Sequence, residues 1–241
     1  MKNQILKDLK EKGIFLHDQF LDENEKINLK KDFESKNNYE FFELNNEKEL
    51  EKISKTLFKF LQRDCIKNFL HEYFESDITY SSVLFTRSAP EIKRDDNINS
   101  SNGSILAFHN DDSGKQIKIN ILLSDLSEKS NGLEYAISSH KITNLDKKIL
   151  NFFKFFGLFK NWNKHFLNYQ KNKFKRKKVN FMSEDEIKSK YKVFKVFGKS
   201  GLVYIFDTNG FHRQASVQKE NYFEQQRELI TIYIDSKRIN K

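Results

Sequence analysis

The amino-acid sequence predicts a mainly β domain, a sandwich or barrel, buttressed by helices that precede it in the chain. Three observations carry this. Apolar residues recur at three- and four-residue spacing up to about residue 74, short β-branched and aromatic segments separated by polar turns follow, and 241 residues suit one core with at most one sizeable insertion. The expected organisation is therefore a single domain over 1–241.

The helical part comes first. Asp22 precedes Glu23-Asn24-Glu25, a capping side chain followed by acidic residues that suit the positive end of a helix dipole, and Ile27, Leu29 and Phe33 are set among polar neighbours. From Glu49 to Phe74 the residues Leu50, Ile53, Leu57, Leu61, Ile66 and Leu70 predict one long amphipathic helix laid against a sheet. The texture then changes. Segments 79–87, 104–109, 116–123, 133–137, 191–197, 202–206 and 228–234 read as strands, being short, rich in β-branched or aromatic residues and bounded by turn-like stretches.

Between Lys141 and about Lys190 the strand series is interrupted. Ile149, Phe152, Phe153, Phe156 and Phe159 fall on one helical stripe, with Phe155, Leu158, Trp162 and Phe166 beside it and lysines filling much of the rest. This predicts a basic, Phe-rich helical insertion at about 141–190. The net charge is +9, and residues 141–180 alone hold twelve Lys or Arg against one Asp, so the remainder of the chain is slightly acidic. A solvated lysine face is the bland reading of that block.

Other classes are narrowed by composition. The single Cys65 excludes an intramolecular disulfide, and the first residues lack the apolar run of a secretory signal, so the expected compartment is cytoplasmic. No stretch approaches the roughly 20 apolar residues that span a bilayer, because Lys154 and Lys160 cut the Phe-rich region.

The informative stretch is Phe108-His109-Asn110-Asp111. Two residues apart on a strand or at its end, His109 and Asp111 point to one side and reach one ion. Alone, such a pair is weak, since a surface His beside loop carboxylates has the same spelling. Context strengthens it: Leu202 to Asp207 reads as a buried strand, Asn209-Gly210 as a turn, and His212 follows at the start of the next segment. Two imidazoles and a carboxylate form the facial set used for non-haem Fe(II), which leaves adjacent positions for a bidentate cosubstrate and O₂. Zinc competes, but a structural zinc site normally closes with a fourth ligand and Cys65 lies in the helical region.

A cation is needed to hold an acidic cosubstrate such as 2-oxoglutarate. Arg227 opens the last strand and can grip a carboxylate through two parallel hydrogen bonds. Arg213 is the runner-up, because as the neighbour of His212 on an extended segment it faces the opposite way.

These residues resemble a family. Phe108-His109-Asn110-Asp111, Lys118-Ile-Asn-Ile-Leu-Leu-Ser-Asp125, Asn131-Gly132-Leu-Glu-Tyr135, Ser139-His140-Lys141 and Phe206-Asp-Thr-Asn-Gly-Phe-His212-Arg213, with Arg227, are similar to the phytanoyl-CoA dioxygenase-like group of Fe(II)/2-oxoglutarate-dependent oxygenases. Gly13-Ile-Phe15 and Phe20 to Glu25 resemble its amino-terminal strand and helix, so the likeness spans most of the chain apart from the basic block. It implies a double-stranded β-helix (jelly-roll, cupin-like) core with the metal at one mouth. It implies His109, Asp111 and His212 as ligands of Fe(II), and Arg227 as the anchor of 2-oxoglutarate, with Lys118, Asn120 and Ile121 on the strand lining that pocket. Thr86, Arg87 and Phe108 are expected as further pocket walls, and Phe155, Phe159 and Trp162 as a lid. Two departures stand out: the gap from His212 to Arg227 is longer than the family pattern, and Gln214 replaces a small hydroxyl residue. His140 is expected to pack or support rather than ligate, and His17, His71 and His165 lack ligand spacing.

The implied reaction is hydroxylation of a C–H bond with release of succinate and CO₂. Related halogenases carry a small residue where Asp111 stands, leaving room for a halide, and the carboxylate argues against that outcome. The rival class is a non-catalytic jelly-roll binding protein that keeps the metal site. The basic block predicts a small anionic or carrier-linked substrate, or peripheral contact with an anionic membrane; nucleic acid is a weaker reading, resting only on its interleaved lysines and aromatics.

Overall fold

The computed structural model describes residues 1–88, 108–111, 116–141, 180–182, 184–215 and 227–236. Two antiparallel sheets pack face to face as a jelly roll, and a layer of helices covers the outer face of the larger one.

The chain opens with α1 (Lys2–Lys12), which ends at Gly13 in a left-handed conformation, φ 81°. Strand β1 (Ile14–His17) follows, then α2 (Glu23–Glu34). Asp22 caps α2 in a full capping box with Glu25, an arrangement worth about 1 kcal/mol. Leu29 and Phe33 are buried by α2, whereas Ile27 is exposed. After β2 (Tyr39–Glu43), the expected long helix is three short ones: α3 (Glu47–Ile53), α4 (Lys55–Leu61) and α5 (Asp64–Phe74). Ser54 makes the first break. Its extended backbone (φ −156°) cannot continue a helix, and its hydroxyl instead accepts the Leu57 N–H at 3.0 Å, capping the next one. Arg63, at φ −59° and ψ 135°, makes the second. The periodicity survives both breaks, because Leu50, Leu57, Leu61, Ile66 and Leu70 are all fully buried.

The remaining strands are β3 (Ile78–Ser88), β4 (Phe108–Asn110), β5 (Gln116–Leu122), β6 (Leu133–Ala136), β7 (Asn180–Met182), β8 (Val193–Lys195), β9 (Val203–Asp207), β10 (His212–Gln214) and β11 (Arg227–Ser236), with one more helix, α6 (Glu184–Lys190). The larger sheet runs β1-β9-β5-β11-β3-β2 and the smaller β7-β4-β10-β6-β8. The end of the segment expected as a helical insertion therefore supplies an edge strand, β7, beside β4, and the short helix α6. Residues 142–179, with Phe155, Phe159 and Trp162, lie outside the described residues.

Strand alternation divides the larger sheet into two surfaces. Ile117, Ile119, Ile121, Val203, Ile205, Ile230, Ile232 and Ile234 face the helices in the main core. Their alternates face the smaller sheet, where Leu122, Tyr204, Phe206 and Leu229 meet Leu133 and Tyr135 in a second core. Lys118 and Asn120 lie on that same inward face, as do Arg227, Thr231 and Tyr233, since cross-strand partners share a face and Lys118 pairs with Tyr233 and Asn120 with Thr231.

Candidate metal centre

His109 and His212 are direct cross-strand partners on β4 and β10, which brings their rings to 4.7 Å between centroids. Asp111, one residue past β4, completes the group. Its carboxylate oxygens lie 3.8 Å from His109 Nε2 and 3.7 Å from His212 Nε2. Ligand atoms of all three side chains fall within 4.8 Å of one another, and among the described residues no other set of three or more His, Cys, Asp or Glu side chains clusters this way. With metal–ligand bonds of about 2.0–2.2 Å, binding one ion requires the three groups to close by roughly an ångström.

The electrostatics suit a cation ligand set. His212 Nδ1 donates to the Gly210 carbonyl at 2.9 Å, which fixes the proton on Nδ1 and turns the Nε2 lone pair towards Asp111. Burial holds the His212 pKa down at about 3, against the opposing pull of Asp111, so the ring is neutral at neutral pH. For Asp111, burial favours the protonated form, but Lys118 and the two histidines more than offset it, and the carboxyl is held well below the usual range. Lys118 Nζ donates to Asp111 Oδ2 at 2.5 Å. Burial works against the lysine charge, yet Asp111 keeps its pKa raised.

Arg227 opens β11 and is buried. Its Nη1 donates to the Asn131 carbonyl at 2.9 Å and its Nη2 to Gln214 Oε1 at 3.3 Å, while Nε has no partner among the described residues. Gln214 is the next inward residue after His212 on β10, so the guanidinium sits one alternation along the cleft from the His–Asp–His group. Among the described residues no carboxylate pairs with Arg227, and burial lowers its pKa. Arg213 is different in each respect. It projects from the other face of β10, where it binds Glu134 at 2.6 Å and Glu184 at 2.9 Å and lies 4.2 Å over the Phe108 ring.

Some expected residues do not join the site. Ile121 faces the helices, because the alternation that turns Lys118 and Asn120 inward turns Ile121 outward. Arg87 lies on the outer face for the same reason, held by Glu228 at 3.1 Å and Asn38 at 2.9 Å. Phe108 points away from His109 into a small core with Ala136, Ile187 and Phe211. The wall beside Lys118 is instead made by Tyr233, whose ring centroid is 4.9 Å from the ammonium, and by Phe206 at 5.8 Å, with Phe41 edge-on to Tyr233. Tyr204, on the same face as Asn120 and Lys118, is a further inward residue; burial raises its phenol to about 12, opposed by Arg227 and Lys118. Strand parity alone finds Tyr204 and Tyr233. His140 donates from Nε2 to the Lys10 carbonyl at 3.3 Å, a packing role under the α1–β1 turn.

No family model matches the chain, and no curated protein matches it. Solved structures do match in fold. HygX from Streptomyces hygroscopicus with iron bound is 13% identical with a TM-score of 0.58, over 98% of this chain and 87% of that one. EctD from S. alaskensis with 2-oxoglutarate and 5-hydroxyectoine is 10% identical at a TM-score of 0.60, over 96% and 74%. SnoN, a non-haem α-ketoglutarate-dependent epimerase from nogalamycin biosynthesis, is 10% identical at 0.54, over 98% and 82%. At such identities the likeness is one of fold, and the jelly roll is shared with structures that hold iron or 2-oxoglutarate.

Proposed function

We propose that the protein is a mononuclear non-haem iron(II), 2-oxoglutarate-dependent oxygenase. The convergence of His109, Asp111 and His212 at the mouth of the jelly roll, one alternation from a buried arginine without a carboxylate partner among the described residues, carries this reading. The residues fit the group: the donor set is the facial two-imidazole, one-carboxylate type, and the Arg227 Nε is a buried donor with no acceptor among the described residues. His109 Nε2, His212 Nε2 and an Asp111 oxygen would hold iron. When bound, iron(II) supplies the coupling of 2-oxoglutarate decarboxylation by O₂, yielding succinate and CO₂, to oxidation of a substrate C–H bond.

The chain's own residues do the rest. Gly210 keeps the His212 proton on Nδ1, and Lys118 keeps Asp111 ionised. Arg227 receives the distal carboxylate of 2-oxoglutarate, with Asn120 and Tyr204 on the adjoining wall. Tyr233 and Phe41 flank the substrate. Hydroxylation is the proposed outcome; the epimerase among the fold neighbours shows that this scaffold also serves another. The substrate is proposed to be small and anionic or carrier-linked, from the basic block at 141–180, which also suits peripheral contact with an anionic membrane. Among the described residues no helix is long and apolar enough to cross a membrane.

Succinate release from 2-oxoglutarate with Fe(II) and ascorbate tests the reading against a non-catalytic jelly roll. Wild-type protein is expected to give slow uncoupled turnover, and His109→Ala, Asp111→Ala and His212→Ala none. Wild-type turnover by Asp111→Ala under limiting iron would sink it. Changing Lys175, Arg176, Lys177 and Lys178 to Glu should abolish salt-sensitive co-sedimentation with anionic vesicles or lower turnover; no effect on either removes the anionic partner.

A further inference from the structure

We infer that Asp207, held from helix α5 by Tyr73, is a positioning residue for all three metal ligands, acting through the turn it begins. The inference rests on the metal-centre reading above. Residues 208–210 offer three consecutive carbonyls, and each is taken by a ligand-bearing segment. The Asp111 backbone N–H donates to the Thr208 carbonyl at 2.9 Å. Asn110, between His109 and Asp111, donates from Nδ2 to the Asn209 carbonyl at 3.4 Å. His212 Nδ1 donates to the Gly210 carbonyl at 2.9 Å. One four-residue turn thus sets the backbone of the His-x-Asp strand and the tautomer of the distal histidine together.

The shape of that turn depends on a buried carboxylate. Asp207 is 1% exposed. Its Oδ1 accepts the Asn209 backbone N–H at 2.8 Å and the Asn209 side-chain amide at 2.9 Å, an Asx-type closure of the turn. Its Oδ2 accepts the Tyr73 hydroxyl. The backbone is fastened as well: Asp207 N donates to the Gly13 carbonyl at 2.9 Å, and the Tyr135 hydroxyl donates to the Asp207 carbonyl at 3.0 Å. Tyr73 is thereby the link from the helical layer, through the larger sheet, to the ligands. A carboxylate is suited to this place because it accepts several hydrogen bonds and donates none. The Asp207 carboxylate is engaged by Tyr73 and Asn209, on the helix-facing side of the larger sheet, so its effect is on ligand geometry.

Groups that orient metal ligands typically change metal affinity by roughly 10–100-fold when altered. The test uses purified metal-free protein titrated with Co(II), followed by ligand-field absorption, together with ¹⁵N NMR of the His212 ring in the metal-free state. Asp207→Asn keeps an acceptor for Asn209 but replaces the oxygen that takes the Tyr73 proton, and it is expected to weaken Co(II) binding about tenfold or more. Tyr73→Phe removes only the hydroxyl and is expected to act in the same direction, more weakly. Both should turn a single Nδ1–H tautomer of His212 into a mixture. Ile66→Val, a core truncation elsewhere in α5, should leave affinity and tautomer unchanged. If Asp207→Asn does not fold, Tyr73→Phe decides. Wild-type affinity and a single tautomer in the folded Asp207 and Tyr73 variants overturn the inference, as does an equal loss in Ile66→Val. Failure of the wild-type protein to bind Co(II) would instead overturn the metal-centre reading, and this inference with it.

Discussion

Replacing Arg227 by Met separates cosubstrate binding from metal binding. Methionine keeps much of the buried volume and removes the guanidinium. Arg227 spends two of its N–H groups on Asn131 and Gln214, and the Nε edge has no partner among the described residues, so a two-bond grip on a carboxylate remains open to it. Hydrogen bonds to charged groups contribute about 1.5–3 kcal/mol each, so losing two costs at least about 3 kcal/mol, a hundredfold or more in the Kd for 2-oxoglutarate. Arg227→Lys keeps a charge but not the fork and should lose about tenfold. Anaerobic titration of the Fe(II)-loaded protein with 2-oxoglutarate, followed by the metal-to-cosubstrate charge-transfer absorption, reads the affinity directly, and Fe(II) titration reads the metal site. Burial shields the contact, so moderate salt should change little. An Arg227→Met Kd within threefold of wild type would refute the assignment.

Arg213→Ala should leave that Kd unchanged while destabilising the fold by about 1–3 kcal/mol, since Glu134 and Glu184 lose a common partner; denaturant unfolding checks it. Gly210→Ala should destabilise by at least about 1 kcal/mol and weaken Co(II) binding, because its new Cβ would lie 2.0 Å from the Tyr135 hydroxyl. In the metal-free protein the folded pKa of His212 is depressed, from 6.5 to about 3, so the unfolded chain takes up that proton first as pH falls. The associated stability is present above about pH 6.5 and is lost on acidification, by about 2–3 kcal/mol between pH 6.5 and 4.5. Unfolding of wild type and His212→Gln over that range should show the steeper fall in wild type; parallel curves would contradict it.

The clustering of His109, Asp111 and His212 was legible because it depends on rules that need no distant information. His-x-Asp spacing uses the period of a strand, and Asn209-Gly210 after a buried strand marks a turn. The same period separates Arg227 from Arg213. Where the reading failed, it failed by one residue or at a cap. Ile121 adjoins Asn120, and Phe108 adjoins His109, and in a strand the neighbour of an inward residue points outward. Ser54 falls inside the expected helix from Glu49 to Phe74, but its hydroxyl caps the next helix more favourably than it tolerates a helix interior. Strand β7 has three residues beside a lysine-rich stretch and no alternation to reveal it. The Tyr73–Asp207 contact joins residues 134 apart, which local patterns do not encode.

Charge inside the jelly roll explains why these parts belong together. Among the described inward residues Asp111 neutralises Lys118, the His212 ring is neutral, and Arg227 is left with only neutral acceptors. A buried cation so placed is costly unless an anion joins it. Adding a divalent metal at the triad raises the positive charge of the cleft further. A dicarboxylate that bridges the metal and Arg227 offsets both, so on this reading each ligand strengthens the case for the other: metal affinity and 2-oxoglutarate affinity should rise together. By linkage the two factors must be equal. At a 2-oxoglutarate concentration near the wild-type Kd, Arg227→Met should show little of this enhancement, because its cosubstrate site stays largely empty, while Co(II) binding in the absence of 2-oxoglutarate stays near its wild-type value. Co(II) titrations with and without 2-oxoglutarate at that concentration measure it, and an undiminished enhancement in Arg227→Met would place the dicarboxylate away from this arginine.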